Sequence, residues 1–178
     1  PHAVRPPPNV PRAPQSRMAV RFATYGNDKF RGSRERLAEE ARATGWFGTI
    51  TAYTPEALSA RFRASASATL MQEKGGGYWA WKTDVLLQEL AASPENGLVV
   101  YLDAGCTLNP QGERRFREYL AMARANEPGI VSFAMPHLPE EQWITREVFA
   151  ACSSNISGGT QIPMSVRKSG QLVGGVLV

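Results

Sequence analysis

Short runs of β-branched and apolar residues alternate along the chain with longer stretches whose apolar positions recur at helical spacing. Residues 19–24, Ala-Val-Arg-Phe-Ala-Thr, predict a strand, and Tyr25-Gly26-Asn27-Asp28 predicts the loop after it. Ser33 is placed to cap a helix to about Thr44, with Leu37, Ala38 and Ala41 on its apolar face and Gly45 as its stop. Residues 48–53 predict a second strand. Thr54-Pro55-Glu56 then combines a cap, a proline at the first helical position and an early acid, so a helix carrying Leu58 and Phe62 is expected. Gly75-Gly76-Gly77 interrupts the pattern, and a further helix is expected over residues 79–92 through Trp81, Val85, Leu86 and Leu90. After the Asn96-Gly97 turn, residues 98–102 are the most apolar run and predict a central strand buried on both faces. Asn109-Pro110 opens a helix with Phe116, Leu120 and Ala123, and residues 130–134 predict a fourth strand. Residues 136–171 predict loops, with a short helix near 145–152.

Strands alternating with helices predict an α/β fold: a parallel-rich, mixed sheet covered on both faces. Ligands in such folds bind beyond the C-terminal ends of the strands. Three loops are therefore candidates: the one after Thr24, the glycine run, and the one after Leu102. Residues 1–17 are rich in Pro and Arg and predict a disordered segment, or sequence upstream of a start at Met18, so the folded unit is expected over 18–178. Gly174-Gly175-Val176-Leu177-Val178 reads as a strand just beginning, which predicts a chain cut short at its C-terminus.

Composition narrows the function classes. At 43% apolar and 20% charged residues, the 178-residue chain can bury an ordinary core. Its formal charge of +4 comes without a basic run or stripe, which argues against nucleic acid and suits an enzyme that binds a diphosphate. No apolar run approaches a membrane span. The cysteines, Cys106 and Cys152, form no disulfide framework, so reduced thiols and a cytoplasmic setting are expected.

Asp103 directly follows the most hydrophobic run, in Tyr101-Leu102-Asp103-Ala104-Gly105-Cys106. A carboxylate at a sheet rim can meet Mg²⁺ or Mn²⁺ together with phosphate oxygens. Small Ala104 and Gly105 let a ligand approach; the alternative is a cap of the following turn. Lys82, in Gly77-Tyr78-Trp79-Ala80-Trp81-Lys82, can hold a phosphate as a point charge beside the glycines. The alternative is that the three aromatics are core anchors and Lys82 is solvated. Two Trp and a Tyr in four residues each bring a polar atom, which favours a surface for a base or sugar ring. Tyr25 and Gly26 are a weak nucleotide-loop signal beside an ordinary turn. Glu140 and Glu141 before Trp143 read as a solvated pair, or as groups that hold a base or sugar hydroxyl. His137 reads as a loop residue.

In order, Phe22-Ala23-Thr24-Tyr25-Gly26, Gly77-Tyr78-Trp79-Ala80-Trp81-Lys82, Tyr101-Leu102-Asp103-Ala104-Gly105-Cys106 and Glu141-Gln142-Trp143-Ile144-Thr145 resemble bacterial and viral proteins found among polysaccharide genes. That group is in turn similar to GT-A glycosyltransferases. The resemblance covers about residues 19–178 and rests on the two central blocks in combination. It implies a GT-A/Rossmann-like fold and transfer of a sugar from a nucleoside diphosphate sugar to a glycan or other acceptor. On the donor side it implies Thr24, Tyr25, Gly26, Tyr78, Trp79, Trp81, Lys82, Asp103, Ala104 and Gly105. On the acceptor side it implies Glu141, Trp143, Gly174 and Gly175. Asp103 matches the first aspartate of a metal-binding Asp-x-Asp motif, for Mn²⁺ or Mg²⁺. Gly105 stands where the second aspartate belongs, and Thr83 where a proline usually follows the lysine. A non-catalytic nucleotide- or carbohydrate-binding module is the alternative function, and a protein-interaction domain using the Trp-rich face is a third.

Overall fold

The computed structural model describes residues 20–127, 129–148, 150, 169–172, 174, 176 and 177. The expectations for residues 1–17, for Cys152 and for Gly175 lie outside the described residues.

The chain is α/β. Three parallel strands, β1 (Val20–Tyr25), β2 (Thr49–Tyr53) and β3 (Leu98–Leu102), stand in the order β2-β1-β3. The short β6 (Val176–Leu177) pairs antiparallel with β3, which leaves β3 in the interior of the sheet as its apolar run predicts. Helix α1 (Arg31–Thr44) links β1 to β2, and helices α2 (Ala60–Ser65), α3 (Ser67–Leu70) and α5 (Trp81–Ala92) lie between β2 and β3. The first link steps one way along the sheet and the second crosses back over β1. With one constant hand of crossover, helices on such opposed links fall on opposite faces.

Strand alternation builds a core on each face. Val20, Phe22, Val100 and Leu102 pack with Leu37 and Ala41 of α1 and Leu120 and Ala123 of α6 (Glu113–Ala125). The intervening residues Ala23, Tyr25 and Tyr101 pack on the other face with Trp81 and Val85 of α5. Gly45 ends α1 in the left-handed region, at φ 66°, as its position predicts.

Several boundaries differ from expectation. Helix α1 begins at Arg31, so Ser33 lies inside its first turn rather than at its cap. Pro55–Ala57 forms only a 3₁₀ turn. The helix proper starts at Ala60, where the Ser59 hydroxyl accepts from the Phe62 N–H and displaces the expected cap at Thr54. Pro110–Gly112 is likewise a 3₁₀ turn before α6. The fourth predicted strand, at 130–134, is replaced by β4 (Ala134–Pro139), which pairs antiparallel with β5 (Gly170–Leu172) in a separate small sheet. Gly129 at φ 78° precedes that apolar run, and Val131 packs into the α6 core instead of joining a ladder. Arg146, Glu147 and Val148 are helical, as expected. Among the described residues no helix is long and apolar enough to cross a membrane.

Candidate functional site

The three loops nominated from the sequence meet in one cleft. Its volume is about 340 Å³, and its walls include Tyr25, Gly26 and Asn27 after β1, Gly75, Gly76 and Trp79 from the glycine run, and Asp103, Ala104 and Gly105 after β3. It lies at the C-terminal ends of β1 and β3, the point where the connections reverse direction, which is where ligands bind in open α/β sheets. A second cleft of about 320 Å³ adjoins it and shares Asn27 and Lys29. Arg31, Arg34, Thr54 and Glu56 line that second space, between the ends of β1 and β2.

The β1 loop is held from both sides. The Gly26 N–H donates to the Tyr53 carbonyl at 3.2 Å, and the Gly26 carbonyl accepts from the buried Arg34 guanidinium. The Asn27 side-chain oxygen is buried with no hydrogen-bond partner among the described residues, an uncommon cost at the wall of both clefts. Tyr25 stacks on Trp81 with ring centroids 3.9 Å apart, and both are buried, so each covers a ring face of the other. Burial pushes the Tyr25 phenol up, with the Glu56 carboxylate adding to the shift and Arg34 opposing it.

The glycine run folds into a turn of opposite hand. Gly75, Gly76, Gly77, Tyr78 and Trp79 all have positive φ, from 53° to 97°. The Tyr78 N–H donates to the Lys74 carbonyl and the Trp79 N–H to the Gly75 carbonyl, so α4 (Gly75–Tyr78) is a left-handed helical turn. Left-handed helical geometry costs a side-chain-bearing residue about 1–2 kcal/mol. Tyr78 and Trp79 both bear that cost, which persists only where the surroundings over-determine the backbone. The surroundings here are specific. Trp81 Nε1 donates to the Gly75 carbonyl at 3.0 Å, and Gly77 sits so close to Leu70 that a Cβ would lie 2.9 Å from its Cα. The N–H groups of Gly76, Gly77, Tyr78 and Trp79 all donate to backbone carbonyls. This turn therefore offers no cradle of free N–H groups to a phosphate, unlike a phosphate-binding glycine loop.

Asp103 closes the cleft at the end of β3. Lys82 Nζ lies 3.0 Å from Oδ1, and the Tyr101 hydroxyl donates to the same oxygen at 2.6 Å. Oδ2 has no partner among the described residues. The ammonium also donates to the Gly174 carbonyl and stands 5.0 Å from the Tyr101 ring centroid. Burial, and then the Asp103 carboxylate, hold the Tyr101 phenol far above its ordinary range. The same two causes, in the same order, raise the Cys106 thiol.

This arrangement bears directly on a metal ion. Among the described residues no three His, Cys, Asp or Glu side chains gather as a cage. A resident ion held by protein alone does not fit, because one oxygen of Asp103 is already committed to an ammonium and a hydroxyl. An Mg²⁺ or Mn²⁺ shared with a diphosphate needs only one or two carboxylate contacts, and Oδ2 supplies one.

The other expected site residues fall elsewhere. Thr24 is inside β1, fully buried, with its hydroxyl unpartnered among the described residues. Tyr78 is exposed but does not line the cleft, and Lys82 stands behind Asp103 rather than in the wall. Trp81 is a core anchor that also lines the cleft. Glu141 and Trp143 are exposed at the 3₁₀ turn after β4 and do not line the cleft. Sequence reasoning missed Lys29, Phe30 and Glu73, which do line it. Phe30 was legible as a large apolar residue in a polar loop; Glu73 carried no signal. Comparison with known protein families, curated proteins and solved structures finds no match.

Proposed function

We propose that the chain is the donor-binding part of a GT-A-type glycosyltransferase, which moves a sugar from a nucleoside diphosphate sugar to a glycan or other acceptor. One observation carries the reading: the cleft at the reversal point of the sheet joins exposed aromatic surface to a strand-end carboxylate that keeps one free oxygen. An ion bound there with the diphosphate supplies charge neutralisation as the nucleoside diphosphate leaves. The protein's own part is to position. Lys82 and Tyr101 fix the Asp103 carboxylate through Oδ1 and leave Oδ2 directed by that restraint. Arg34 fixes the loop that separates the two clefts. The second cleft, where Lys29, Arg31 and Arg34 outnumber Asp28 and Glu56 near the ends of β1 and β2, adjoins this site and suits the nucleoside end of the donor. A cytoplasmic setting belongs to the same proposal.

Gly105 at the second motif position favours a second reading, a module that binds the same ligand without catalysis. Thermal-shift screening of UDP-, GDP- and CDP-linked sugars with Mn²⁺ tests what the two readings share. Stabilisation by at least one of them is expected. No response from any nucleotide or nucleotide sugar sinks both. Release of free sugar, or transfer to a glycan acceptor, then separates the enzyme from the module.

A further inference from the structure

We infer that Trp79 is the platform on which the sugar ring of the ligand stacks, and that the left-handed turn exists to present it; the inference rests on the proposed nucleotide-sugar reading. Of the aromatic residues in the cleft wall, Tyr25 and Trp81 occupy each other's faces at 3.9 Å, and Phe30 has the Lys29 ammonium over its ring, 5.8 Å from the centroid. Trp79 has no such partner among the described residues. Its indole is backed by the Gly75 backbone, so close that a Cβ at Gly75 would lie 2.5 Å from the ring, and it remains 49% exposed. It is a flat apolar surface with rigid backing, lining the cleft, at the end of a turn whose conformation disfavours every residue except glycine. Strain of this kind collects where a ligand is met.

The rim of the cleft decides what stacks there. Asp103 Oδ2 and the Glu73 carboxylate have no protein partner among the described residues, and both line the same space. Carboxylates accept hydrogen bonds and donate none. A pyranose offers several hydroxyl donors around its edge and a C–H face to the indole, so its chemistry complements this rim. A bare phosphate does not: it brings negative charge to two carboxylates, reaches Asp103 only through the ion they share, and finds the Gly76, Gly77, Tyr78 and Trp79 N–H groups already committed. A nucleobase also stacks, but its N–H donors lie along one edge, whereas a pyranose donates from hydroxyls all round its ring. The hexose portion of the donor is therefore assigned to the Trp79 and Glu73 side, the diphosphate to the ion at Asp103, and the nucleoside towards the second cleft.

The test uses the full chain and isothermal titration with UDP and GDP, each beside its glucose or mannose conjugate, with Mn²⁺. Trp79→Gly removes the ring and suits a positive φ, so the turn keeps its fold; Trp79→Phe keeps a smaller platform. The wild type is expected to bind the sugar conjugate more tightly than the bare diphosphate. Trp79→Gly is expected to lose about tenfold in affinity for the conjugate alone, the scale of one aromatic stacking contact, and Trp79→Phe to lose less. Equal losses for diphosphate and conjugate overturn the inference in favour of a nucleobase platform and leave the proposed function standing. Unchanged affinity for both in a folded Trp79→Gly protein overturns it as well. No binding of any probe to the wild type removes the proposed function, and this inference with it.

Discussion

Lys82 Nζ stands 3.0 Å from Asp103 Oδ1, with the lysine side chain only 16% exposed and the aspartate 39%. The pair alters what neutralising Asp103 does. An unpaired carboxylate at a hydrophobic strand end gains from losing its charge. This one instead leaves a largely buried ammonium without its counter-ion. Asp103→Asn is therefore expected to lower stability by about 1 kcal/mol, discounted for the partial exposure. It is also expected to weaken nucleotide-sugar binding mainly when Mn²⁺ is present. Urea unfolding and titration with and without the metal read the two effects on one protein. Unaltered metal-dependent binding in a folded variant removes Asp103 from the site.

Glu89 is a second paired carboxylate, in the core rather than at the cleft. Its Oε2 accepts from Arg21 at 2.6 Å and its Oε1 from the Tyr53 hydroxyl at 2.9 Å, and it is fully buried. It ties α5 to β1 and β2 from beneath the site. Breaking a buried pair from one side leaves the other charge uncompensated, so Glu89→Gln is expected to cost about 3 kcal/mol. A urea midpoint within error of the wild type would show that water reaches Arg21 instead.

Asp84 gives the fold a dependence on acid. Burial opposes its ionisation, but hydrogen bonds from the Ser59 hydroxyl at 2.6 Å, the Ser59 N–H and Gln88 prevail and hold its carboxyl below the ordinary range. A depressed folded value means that the ionised form is the stabilising one. Its contribution is fully present above the unfolded carboxyl's pKa, about 4, and is lost as pH falls through the lower folded value. Asp84→Asn is expected to cost about 1–2 kcal/mol at pH 7 and to unfold less steeply with acid below pH ~4. An acid transition identical in slope to the wild type would contradict this role.

The legible parts of this chain are those that period and composition govern. Leu98–Leu102 is a continuous apolar run with turns on both sides, and it forms an interior strand with the predicted bounds. Two of the three loops that meet in the cleft follow β1 and β3, because parallel strands end on one side; the glycine run lies between α3 and α5, where no strand end places it. Proline signals misled at Thr54 and Asn109, where a 3₁₀ turn satisfies the same first-turn preferences and the Ser59 and Gly112 positions begin the helices. The hand of the glycine turn was hidden, since three glycines permit either sign of φ and nothing local marks Tyr78 and Trp79 as the side-chain-bearing residues that share it. The partnership of Lys82 with Asp103 was hidden for the same reason: the residues are far apart in sequence, and nothing local pairs them.

Gly75 and Gly76 separate the two demands that the turn makes. Both have positive φ, 62° and 56°, so alanine at either bears the left-handed cost, about 1–2 kcal/mol. Beyond that they differ. A Cβ at Gly75 would meet the Trp79 ring at 2.5, 2.6 and 2.8 Å, whereas the nearest atom to one at Gly76 is Asn27 Nδ2 at 3.7 Å. Trp79 is half-exposed, so its ring can swing away from the added methyl group rather than break the fold. Gly75→Ala is therefore expected to lower stability by only slightly more than Gly76→Ala while moving the indole. Near-ultraviolet circular dichroism reads that movement, because the tryptophan bands report ring surroundings and thermal unfolding reports the rest. A changed spectrum in Gly75→Ala beside a near-native one in Gly76→Ala is the expected pair. Matching spectra with matching melting temperatures would mean that the ring does not lie on Gly75, and the backing assigned to the platform would go with it.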